Sequence, residues 1–210
     1  MSESSAFPRV KLRIENLSDL VFGLALSIGS IVLISKLPQN PTELVTGIAL
    51  FGASFVLVVW IWTGYTATVT ALPYEVRGTF LLNIMLLFCV AIEHYVFYVQ
   101  SEAQSSLFEF SSSVYALDVG AMLFILAGLV RILLSEEKKS SPHALPPDRL
   151  RRFRRSVISL TAGGVVFAVS ALPFFWVPLP LGESLRFYMW YVAIVVLFVA
   201  PRVGRRQPGP

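Results

Sequence analysis

The chain alternates long apolar runs with short polar breaks, and the runs, rather than any single motif, set its architecture. A helix needs about 20 predominantly apolar residues to cross a bilayer. By that measure the pattern predicts six transmembrane helices at roughly 17–36, 44–71, 79–98, 113–134, 156–177 and 186–201. The first run closes at Lys36-Leu-Pro-Gln-Asn-Pro41, where prolines interrupt helix. The second opens with Thr42 as a cap, followed by Glu43. Pro73-Tyr-Glu-Val-Arg-Gly78 is the next turn, Gln100 to Ser113 is a polar connection, and residues 131–155 form the longest one. The last two runs are parted by Pro178-Leu-Pro-Leu-Gly-Glu183, and the tail 202–210 is expected to be disordered. One all-α domain over 1–210 is the expectation.

Composition agrees with that pattern. Apolar residues make up 55% of the 210-residue chain and charged residues 14%, and the mean hydropathy is +0.70, all outside the usual soluble range. The net charge of +4 would suggest nucleic acid in a soluble protein. Here the basic residues sit between apolar runs, where they set topology, so no nucleic-acid partner is expected. Counted by side, 15 of the 17 lysines and arginines fall on one face of the six-helix arrangement, with Lys36 and Arg186 opposite. Short basic loops stay cytoplasmic, which puts both termini inside. Arg149, Arg151, Arg152, Arg154 and Arg155 read as a topology signal and a contact for anionic lipid. Cys89 lies mid-span as a small hydrophobe. The N-terminal residues lack the basic-then-apolar pattern of a cleaved signal.

Polar residues inside the runs fall into two layers. Asp19 stands at the cytoplasmic threshold of the first run, either as a functional acid or, with Ser18, as a helix N-cap. Glu93, His94 and Asp118 form an outer layer on neighbouring helices, in which a Glu93–His94 or a His94–Asp118 pairing could form. Both a structural role and a part in gating suit these three. Trp60, Trp62 and Tyr65 cluster late in the second run, where amphipathic rings favour the interface. No spacing suits a zinc site, and no nucleophile–base pair, phosphate loop or paired carboxylates give an enzyme reading any positive support.

On the first run, Leu24, Ile28 and Ile31 recur at helical spacing and share one stripe, with Gly23, Ser27 and Ser30 beside it. In a pore, Leu24 and Ile28 would form hydrophobic constrictions and Ser27 would offer a hydroxyl to a cation. The same spacing also suits ordinary helix packing, and at this level both readings stand.

The stretch Arg13-x-x-x-Leu17-Ser18-Asp19, followed by a helix rich in small residues, resembles the Arg-x-x-x-Phe-Ser-Asp signature of the transmembrane protein 175 family. Its members are endosomal and lysosomal potassium channels, with shorter prokaryotic relatives. The resemblance covers about residues 11–201 and implies a homotetramer of six-helix subunits whose first helix lines the pore. It implies Leu24, Ile28 and Ile31 as constriction layers, Ser27 as a determinant of potassium preference, and Arg13, Ser18 and Asp19 as a structural network. Potassium would permeate with modest preference over sodium across the cell membrane of a prokaryote, with no resident cofactor. Two departures stand: Leu17 replaces the signature phenylalanine, and Trp62-Thr-Gly-Tyr65-Thr66 has none of the histidines that relatives often carry there. The ordinary potassium-channel filter Thr-Val-Gly-Tyr-Gly does not occur in the chain. The alternative from another class is a non-conducting scaffold or a small-solute or proton transporter subunit.

Overall fold

A computed structural model describes residues 6–35, 37–72, 77–102, 106–139, 145–177 and 184–203. The expected connection at 178–183, most of the turn at 73–78, and the tail beyond residue 203 lie outside them. Among the described residues six α-helices follow one another: α1 Ala6–Ser35, α2 Pro41–Val69, α3 Arg77–Glu102, α4 Ser106–Lys139, α5 Pro147–Ser170 and α6 Leu185–Val203, with a short 3-10 helix at Pro173–Trp176. Long apolar runs leave backbone N–H and C=O groups no water to bond, and a helix satisfies them within itself. Among the described residues four helices, α1 to α4, are long and apolar enough to cross a membrane. α5 spends its first turns on arginines, and α6 is apolar over the shorter stretch Leu185–Leu197.

Several boundaries differ from those expected. α1 begins at Ala6 instead of near 17, so Ser18 and Asp19 are interior to the helix and neither is its N-cap. Asn40, not Thr42, caps α2: its side chain accepts from the Glu43 N–H at 2.9 Å, while Glu43 accepts from Gln39 N at 2.8 Å. This reciprocal bonding satisfies two donors at once, with Pro41 filling the position where no N–H is needed. The expected 131–155 connection is mostly helix, because α4 runs to Lys139 and α5 restarts at Pro147. α5 stops at Ser170 rather than 177, since Pro173 cannot continue it.

α4 is the central element and packs most extensively against α3 and α5. Its side chains Val119, Met122, Leu123, Leu126, Leu129 and Leu133 are fully buried or nearly so. A Cβ on Gly120 would sit 3.2 Å from the Gly164 carbonyl, so the glycine lets the two backbones approach. α1 rests on α3 and α2, and α2 leaves much of its surface open.

Candidate functional site

α1 has two unlike faces. Ser18, Phe22, Ala25 and Gly29 are buried, spaced as one stripe turned into the bundle. Leu17, Leu20, Leu24, Ile28 and Ile31 lie on the opposite side, where Leu24 is 52%, Ile28 45% and Ile31 64% exposed. Ser27 is exposed beside them, and its hydroxyl donates to its own helix at Gly23 O, 2.8 Å away. That bond uses the proton and leaves oxygen lone pairs outward, the arrangement a cation needs.

Two neighbours fix this rotation. The Tyr65 hydroxyl forks between Ser18 Oγ at 2.7 Å and Asn83 Oδ1 at 2.5 Å, joining α1, α2 and α3 at one buried point. Ser18 in turn donates to Ile14 O at 2.8 Å. Tyr65 is therefore a core residue, not a member of an interfacial belt, and its ring stacks at a tilt against Phe22, 5.6 Å between centroids. One turn earlier on α2, Trp62 Nε1 donates to Asp19 Oδ1 at 2.9 Å. Ser18 and Asp19 are thus both held by α2. Arg13 is exposed about 140° round the helix from Ser18, on the side of Leu24, and the described contacts do not bring it to them.

Farther along α1, Gly29 faces the His94 ring of α3, where an added Cβ would overlap the imidazole. Gly23, by contrast, meets open space, so the small residues of α1 serve different ends. Behind His94 lies a buried polar cluster. His94 Nδ1 stands 2.8 Å from Glu93 Oε2, without the alignment of a hydrogen bond. Ser54 Oγ donates to Glu93 at 2.9 Å and Tyr115 Oη donates to it at 3.3 Å. Of the two pairings open to His94, the close contact is with Glu93. Asp118 lies beside Cys89, and its Oδ2, like His94 Nε2, is buried without a hydrogen-bond partner among the described residues. Asp118 is about three turns into α4 rather than near its start, because α4 begins at Ser106.

Arg186, expected on the outer face opposite most of the basic residues, has a fully buried side chain instead. Its Nε donates to Ser170 O at 2.8 Å, one Nη donates to Glu109 O at 3.0 Å and to Ser112 Oγ, and the other reaches Ala171 O at 3.3 Å. The guanidinium lies over the Trp176 ring, 5.0 Å from its centroid. It fills the open carbonyls that end α5, where the helix dipole also favours a cation. The sequence signal was Pro173: a helix broken there leaves acceptors that a nearby arginine can satisfy. Tyr65, Asn83, Ser54 and Tyr115 carried no comparable signal, because their partners lie far along the chain.

No protein-family model, curated protein or solved structure matches this chain.

Proposed function

We propose that this chain is one subunit of a homotetrameric, potassium-permeable cation channel of the cell membrane, with six membrane-crossing helices and both termini cytoplasmic. The observation that carries the reading is the division of α1: Ser18, Phe22, Ala25 and Gly29 lock one side into the bundle, while Leu24, Ser27, Ile28 and Ile31 stay exposed on the other. Four copies joined through this face would enclose a path with apolar rings at Leu24, Ile28 and Ile31. Such rings hold water back and make a hydrophobic gate, and Ser27 oxygens between them would replace part of a cation's hydration shell. Potassium is less strongly hydrated than sodium and gives up water more readily, hence a modest preference. Ser18 and Asp19 act on α1 through Tyr65 and Trp62 and set its rotation rather than touching the ion. The fall of 15 of the 17 lysines and arginines on one face of the six-helix arrangement favours cytoplasmic termini.

The test is purified protein reconstituted in liposomes with a potassium gradient. Voltage-driven potassium flux that depends on protein supports the channel; protein-loaded liposomes that stay tight at several voltages leave a non-conducting scaffold.

A further inference from the structure

A partly open groove of about 300 Å³ runs between α2, α4 and α5 and reaches Leu197 of α6, with no residue of α1 in its lining. Thr63 and Gly64 line one wall, Leu126 the floor, and Phe153, Ser156 and Leu160 the other wall. Its threonines have no donor to spare: Thr63 donates to Val59 O and Thr68 to Gly64 O, both at 2.8 Å. The surface they leave is mostly hydrocarbon-like.

The arginines of α5 give the groove a charged mouth. Residues four apart lie one above the other on a helix. Arg149 and Arg152 therefore sit one turn before the groove residues Phe153 and Ser156, and both are exposed. Arg151 and Arg154 are also exposed, but each precedes a residue outside the groove, Arg155 and Ile158, and Ile158 points to solvent or lipid at 71% exposure. A topology signal needs only positive charge on the correct side of the membrane, with no preference for a helix face. The first-turn acid of α5 is Asp148; on the end of α4, Glu136 pairs with Lys139 and Glu137 accepts from Leu145 N.

Arginines resist entry into hydrocarbon, so the boundary between headgroups and acyl chains falls near Ser156. From there to Leu160 the groove wall descends about 6 Å into the apolar layer. We infer that this groove is a binding site for one anionic phospholipid, its phosphate held by Arg149 and Arg152 and an acyl chain lying between α2 and α5. The inference rests on the membrane-spanning reading with α5 starting at the cytoplasmic interface, and it is independent of whether α1 conducts.

The experiment is lipid titration onto detergent-solubilised full-length protein, read by thermal unfolding and by native mass spectrometry. Phosphatidylglycerol should raise the unfolding midpoint and be retained as a bound lipid, and phosphatidylcholine should do neither. Arg149→Gln with Arg152→Gln should weaken phosphatidylglycerol binding by at least roughly tenfold, through loss of charge-assisted hydrogen bonds to its phosphate, against little change for Arg151→Gln with Arg154→Gln, which removes the same charge. Ala67→Phe, at an exposed position lining the groove, should weaken binding with no change of charge. Equal losses in the two arginine pairs would reduce the site to diffuse attraction and overturn it. So would an unaffected Ala67→Phe protein, or inorganic phosphate that stabilises as well as the lipid does.

Discussion

Tyr65 and Ser18, 47 residues apart, meet hydroxyl to hydroxyl at 2.7 Å inside the bundle. The contact pins the face of α1 that carries Ser18 and so determines that Leu24, Ile28 and Ile31 turn the other way. A rotation of α1 by one residue, about 100°, would break this bond and bring other side chains to the outward face.

Tyr65→Phe is expected to cost about 1–3 kcal/mol, because Ser18 and Asn83 both lose their buried donor. Ser18→Ala should cost less, since Tyr65 keeps Asn83. Thermal unfolding of the two single variants and the double variant checks this, and a double loss equal to the sum of the singles would show that the residues do not communicate.

Asp19→Ala should weaken the proposed tetramer in detergent, and Trp62→Phe should do the same, because each removes one end of the same bond. The pair combined should be little worse than either alone. Size exclusion with light scattering gives the answer: an undisturbed oligomer in Asp19→Ala counts against a structural role for the acid.

Leu24→Ala or Ile28→Ala should widen the proposed path and raise sodium flux relative to potassium, and Ser27→Ala should lower the potassium preference with less effect on total flux. Ion-replacement recordings in reconstituted liposomes measure both. An unchanged ratio in all three variants would mean that another helix lines the path.

Gly29→Ala should destabilise by about 1–3 kcal/mol through overlap with the His94 ring. Adding His94→Ala relieves the overlap but removes the group at 2.8 Å from Glu93, so part of the stability should return and not all of it. Denaturation midpoints of the single and double variants test the contact, and a harmless Gly29→Ala would place α1 farther from α3.

Arg186→Lys should be severely destabilising, by several kcal/mol, because an ammonium keeps the buried charge without the planar fork that reaches Ser170, Glu109, Ser112 and Ala171 together. Expression level and unfolding temperature in detergent are the measures. A variant as stable as the parent would show that the carbonyls ending α5 do not depend on this residue.

The helices and their apolar character were legible from the chain because both depend on local composition: a long apolar run must bond its own backbone, and Pro41 marks where it cannot continue, whereas the apolar run that passes through Pro173 to 177 hid the end of α5 at Ser170. The stripe of Leu24, Ile28 and Ile31 was legible for the same reason, as a periodicity within one element. What the chain did not reveal was which side of each helix is inside. Ser18 meets Tyr65, Glu93 meets Ser54 and Tyr115, and Arg186 meets Glu109 and Ser112 across separations of 22 to 77 residues. Such pairings depend on how six helices pack against one another, and only the tertiary structure decided that Arg186 lies in the core, that Tyr65 belongs to α1 as much as to α2, and that Gly29 yields its space to His94.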